Sequence, residues 1–119
     1  MKIYVATKYE EAPRARQVMG LLIAHGHTIT YNWTWNEQSS SEQAHKDMQG
    51  VLDADALVLI IEKDLQYKGA LVEVGIALGK GIPVYVIGSY FDNCIFSALP
   101  QVHQGIDSLV QVRDLAYTD

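Results

Sequence analysis

The stretch "KGALVEVGIALGKGIPVYVIG", Lys68 to Gly88, carries the change of hydrophobic period on which the fold depends. Ala70, Val74, Ala77 and Leu78 recur at helical spacing, which predicts a helix from about Gly69 to Gly79 with one apolar stripe. The periodicity then stops, and "IPVYVIG" reads as a buried strand. Just upstream, "ALVLII" (Ala56–Ile61) is a second unbroken apolar run, of the kind buried on both faces of a parallel sheet. Strand, helix and strand in this order form a unit whose two strands lie parallel with a right-handed crossover.

The same pattern extends towards the N-terminus. "KIYVA" (Lys2–Ala6) is rich in β-branched and aromatic residues and predicts a first strand. Thr7 with Glu10 resembles a capping box, Pro13 suits a first helical turn, and Ala15, Val18, Met19 and Leu22 share one helical face before Gly26. "TITYNW" (Thr28–Trp33) reads as a second strand, and Ser39 with Glu42 as the start of a helix running to about Leu52. A short segment near Leu109–Val112 offers a fifth strand. The expected architecture is a single domain over 1–119. It is a flavodoxin-like or Rossmann-like three-layer sandwich around a parallel sheet of four to five strands.

Composition narrows the function classes. The 119 residues are 49% hydrophobic and 19% charged, a globular balance, and no apolar run is long enough to cross a bilayer. The first ten residues turn acidic without a secretory hydrophobic stretch, and a lone Cys94 builds no disulfide framework, so a cytoplasmic location is expected. A net charge of −5 without a basic cluster disfavours a nucleic-acid polymer as partner. His25, His27, His45 and His103 show no ligand spacing, so no metal is expected. "VATKYEEA" after the first strand has no glycine, which disfavours a dinucleotide cofactor, and no cofactor is expected.

Ligands of such sheets bind beyond the carboxyl ends of the strands, where carboxylates and aromatics remain as candidates. Glu73 is the acid that interrupts the apolar stretch. With a helix starting near Gly69 it falls in the first turn, where the helix dipole favours its ionised form, and it suits a nucleophile or base. The alternative is a glutamate that merely satisfies its own helix terminus. Asp47, two helical turns before Asp55, can face the same cleft and divide the acid and nucleophile roles with Glu73. Tyr4 points from mid-strand either into the core or towards the pocket. Trp33 and Trp35 either stack on a planar ligand or pack their loop against the sheet.

Taken together, "KIYVA", "DMQGVLDADALVLI", "GALVEVGIALGKGIPVYVIG" and "NCIFSALPQV" resemble the nucleoside 2-deoxyribosyltransferase superfamily, which includes the 2′-deoxynucleoside 5′-phosphate N-hydrolases. The most specific part is the block Gly69, Glu73, Gly75, Ala77, Gly81, Pro83. The resemblance implies cleavage of the N-glycosidic bond of a nucleoside or its 5′-monophosphate. Glu73 would be the nucleophile, Asp47 would bind the sugar or assist protonation, and Tyr4 would hold Glu73 in place. It also implies at least a homodimer, in which Ser97 or Asn93 reaches a neighbour's site. In the hydrolases a glycine- and serine-rich turn receives the phosphate. This chain has Thr7, Lys8 and Tyr9 there, with Lys8 or Arg14 as substitutes, and Tyr67 where those enzymes place a serine. Asp64 matches an aspartate of the transferases. Two other readings stand beside this one: a non-catalytic nucleotide-binding or sensing module, and a TIR-like NAD glycohydrolase.

Overall fold

A computed structural model of the chain describes residues 1–37 and 39–105. Five strands form one all-parallel sheet in the order β2-β1-β3-β4-β5, the flavodoxin-like arrangement. The strands are β1 (Lys2–Ala6), β2 (Thr28–Ile29), β3 (Ala56–Ile60), β4 (Val84–Ile87) and β5 (Val102–His103). The helices are α1 (Ala12–Ala24), α2 (Ser41–Leu52) and α3 (Lys68–Lys80). The chain steps one way from β1 to β2 and the other way from β2 through β3 to β4. Right-handed crossovers therefore put α1 on one face and α2 with α3 on the other. The contacts agree: α1 packs on β1 and β2, while α2 and α3 pack on each other.

The central strand β3 is buried along its whole length, because the sheet is covered on both faces. Each fully buried Leu or Ile there contributes about 2 kcal/mol of transfer free energy. On β1 the side chains alternate, so that Tyr4 faces the α2–α3 layer while its neighbours Ile3 and Val5 face away from it. Among the described residues no helix is long and apolar enough to cross a membrane.

Several boundaries differ from the sequence reading. Thr7 caps nothing: its hydroxyl donates to the Ile60 carbonyl at 2.7 Å, bridging the ends of β1 and β3. A short 3-10 turn (Tyr9–Glu11) then precedes α1, with Pro13 in the first helical turn. The helix cap before α2 is Ser40 rather than Ser39, since Ser40 Oγ accepts from the Gln43 amide at 3.2 Å. β2 spans two residues instead of six: the Thr30 amide still bonds the Ile3 carbonyl at 3.0 Å, but the next acceptor on β1, the Val5 carbonyl, takes the Trp33 indole at 2.8 Å in place of a backbone amide. α3 starts at Lys68, so Glu73 lies in its second turn rather than its first. β5 is Val102–His103, and the segment near Leu109–Val112 lies outside the described residues.

Candidate active site

The order of the sheet makes β1 and β3 the pair from which the chain diverges in opposite directions. A crevice opens beyond their carboxyl ends, as this topology requires. It is a cavity of about 310 Å³, lined by residues that follow β1 (Thr7, Lys8, Tyr9, Glu10) and by those that lead into α3 (Gln66, Tyr67, Lys68, Gly69). Trp33, Asp47 and Glu73 complete its wall. A second concavity of about 380 Å³ runs between α2 and α3, lined by Met48, Val72 and Ile76. Asp47, Gly69 and Glu73 line both spaces, so the two carboxylates stand where the cavity and the groove meet.

Glu73 is positioned by Tyr4, whose hydroxyl donates to Glu73 Oε2 at 2.5 Å from the middle of β1. A short bond of this kind to a carboxylate is the charge-assisted type. Burial, then the adjacent Glu73 charge, push the Tyr4 phenol far up, so Tyr4 remains a donor. The Glu73 carboxyl is itself pushed up to about 7, chiefly by burial and further by the nearby Asp47, while the Tyr4 hydrogen bond acts in the opposite direction. The helix terminus does not hold Glu73 ionised as its expected first-turn placement implied. It sits beyond the turn over which the dipole acts, in a poorly solvated place. Burial also raises Asp47, to about 6, and its Oδ1 is buried with no hydrogen-bond partner among the described residues. An orphaned buried carboxylate oxygen is costly, and ligand-facing sites are where such costs are found.

These shifts have a consequence for stability. The folded state holds the Glu73 proton more tightly than the unfolded chain does. Its support for folding is complete below the ordinary value of 4.5 and is lost as the pH rises through about 7. Glu73→Gln keeps the shape without the charge. It should therefore gain on the order of 2 kcal/mol at pH 8 and nothing at pH 4, read as melting temperature at both. Equal gains at the two pH values would contradict the assignment of strain to the buried charge.

The remaining expected residues divide. Thr7, Lys8, Trp33, Tyr67 and Gly69 line the cavity with Tyr4's partner Glu73. Lys8 is already engaged, donating to the Gln66 carbonyl at 2.9 Å and pairing with Glu10 at 3.3 Å. Trp33 is buried, its indole donating to the Val5 carbonyl at 2.8 Å, so it packs its loop while presenting an edge to the cavity. Trp35 lies outside the cavity, exposed, with the Arg16 guanidinium 3.9 Å over its ring. Asp64 is exposed and away from the lining. Arg14 is occupied by a two-pronged pair with Glu62 (2.7 and 2.9 Å). Asn93 and Ser97 line neither space; Asn93 is exposed and Ser97 half-buried. Four wall residues escaped the sequence reading as site residues: Glu10, Gln66, Lys68 and Ala70. Their signal was position alone, since they lie in the connections after β1 and β3 or in the first turn of α3.

No cluster of three or more His, Cys, Asp or Glu able to hold a metal ion occurs among the described residues. No protein-family model matches the chain, and no curated protein matches it significantly.

Proposed function

We propose that the protein cleaves the N-glycosidic bond of a deoxyribonucleoside or its 5′-monophosphate, passing the sugar to water or to another base. The observation that carries this reading is the carboxylate pair. Glu73 is held by Tyr4 at 2.5 Å, and Asp47 offers an unpartnered oxygen beside a nucleoside-sized cavity. The motif likeness to the nucleoside 2-deoxyribosyltransferase superfamily, strongest in the block around Glu73, implies roles for the same three residues.

Ionised Glu73 attacks the anomeric carbon, forming a C–O bond as the C–N bond breaks and its electron pair moves to the base. Protonated Asp47 supplies the leaving base with its proton. The glycosyl ester then yields to water, or to the nitrogen of an incoming base, which restores the Glu73 carboxylate and leaves Asp47 to collect the released proton. The developing positive charge on the sugar is stabilised by the same carboxylate before covalent capture. A deoxy sugar, lacking an electron-withdrawing hydroxyl beside the anomeric carbon, reaches that state more readily.

The reading includes a second copy of the chain. The apolar groove of Met48, Val72 and Ile76 opens onto Asp47 and Glu73, and Val72 is 65% exposed in the single chain. Ile95 and Phe96 (82% and 57% exposed) stand between Asn93 and Ser97, an apolar pair suited to cover such a groove and bring a polar side chain to the site. Sedimentation equilibrium of the purified protein and of Val72→Glu tests this. A fully active monomer would overturn it.

The activity itself is tested with a panel of deoxyribonucleosides and their 5′-monophosphates, with and without a free acceptor base, following base release by chromatography. Release without acceptor identifies a hydrolase, and exchange only with acceptor a transferase. Ligand binding with no release from any member moves the assignment to a non-catalytic nucleotide-binding module.

A further inference from the structure

Gly50 lies in the last turn of α2 and is buried, with a backbone conformation that any residue can adopt. Glycine in a helical turn is less favourable than alanine, so its presence needs another reason. A Cβ at position 50 would stand 2.9 and 3.0 Å from Cδ1 and Cε1 of the Tyr4 ring, and 2.8 Å from Cβ of Tyr31. Neither neighbour is free to yield. Tyr31 is fixed close to the backbone, and its hydroxyl donates to Gln43 Oε1 at 2.8 Å and accepts from Asn36 Nδ2 at 2.9 Å. The Tyr4 ring is fully buried between the sheet and α2. The helix is also tied down at this point, since the Thr30 hydroxyl donates to the Gly50 carbonyl at 2.7 Å.

We propose that Gly50 is a positioning residue: its missing side chain lets α2 close on the Tyr4 ring, and that contact aims the Tyr4 hydroxyl at Glu73. A displacement of a few tenths of an ångström at the ring is enough to lengthen a 2.5 Å bond, and with it to change both the aim and the proton affinity of the glutamate. The groups facing Glu73 are Tyr4 from β1 and Asp47 from α2. Lys8, Glu10 and Lys68 stand around the cavity, and His45 in the groove. Of these, Tyr4 is the one that position 50 touches.

The test is Gly50→Ala, read in two ways. Carbon-13 NMR of glutamate-labelled protein follows the Glu73 carboxyl titration and needs no substrate. The variant should titrate at higher pH than the parent, in the same direction as Tyr4→Phe. Gly50→Ala added to Tyr4→Phe should shift it no further, whereas a shift transmitted through Asp47 would persist in that background. In the activity assay, which rests on the proposed glycosidic cleavage, kcat should fall on the order of tenfold with KM little changed. Should Gly50→Ala fail to fold, Thr30→Val frees the Gly50 carbonyl without a clash and should give a smaller shift in the same direction. Folded variants whose Glu73 titrates as in the parent would overturn the proposal and leave Gly50 a packing residue. If the parent releases no base, the glycosidic reading falls while the titration still decides the role of Gly50.

Discussion

Glu73→Gln is expected to reduce base release by at least 10³-fold while leaving ligand affinity nearly intact, because the amide keeps the shape and hydrogen bond of the glutamate but cannot form a glycosyl ester. Tyr4 still finds an oxygen to donate to, so the side chain stays where it is. The measurement is single-turnover base release, set beside the dissociation constant of a non-cleavable nucleoside analogue. A rate that survives the substitution removes Glu73 from the chemistry. Affinity that collapses with the rate assigns it to binding instead.

The second large effect concerns pH. The proposed cleavage needs Glu73 ionised and Asp47 protonated, yet burial raises both, the Asp47 charge adding to its effect on Glu73, to about 7 for Glu73 and about 6 for Asp47. The reactive pairing is therefore held by a minority of molecules, and kcat/KM should trace a bell with apparent limbs near pH 6 and 7 that belong to the pair. Asp47→Asn should lower the maximum by about 10²- to 10³-fold and abolish the alkaline limb. Its acidic limb should then report Glu73 alone and stand at or above that of the parent, since burial, the larger cause of the raised proton affinity of Glu73, remains. A profile flat from pH 5 to 8, or an alkaline limb that persists in Asp47→Asn, would refute the division of roles.

Much of this arrangement is legible in the chain, for identifiable reasons. The unbroken apolar runs of β3 and β4 and the helical stripe between them specify a parallel sheet, because only strands covered on both faces carry no polar alternation. Glu73 stands out as the one acid in that stretch. What escaped was set by contacts between distant residues. Thr7 resembles a cap by its spacing to Glu10, but the Ile60 carbonyl competes for its hydroxyl. Six residues of "TITYNW" have strand character, but the Trp33 indole takes the Val5 carbonyl that the next backbone amide would need. Trp35 and Trp33 look alike in sequence, yet one is exposed under Arg16 and the other is locked to Val5. The raised proton affinity of Glu73 was hidden too, since it depends on how deeply Tyr4 and Asp47 are buried with it.

The division of labour between framework and loops has a bearing on how such a protein changes over generations. Glu73, Asp47 and Tyr4 stand on α3, α2 and β1, regular elements pinned by the sheet and by each other. Most of the side chains that would feel the rest of a ligand, including Lys8, Tyr9, Glu10 and Gln66, ride on the connections. Substitutions there alter what fits without disturbing what reacts, because loops tolerate change that packed elements do not. A lineage carrying this scaffold can thus drift between ligands with its carboxylates left in place.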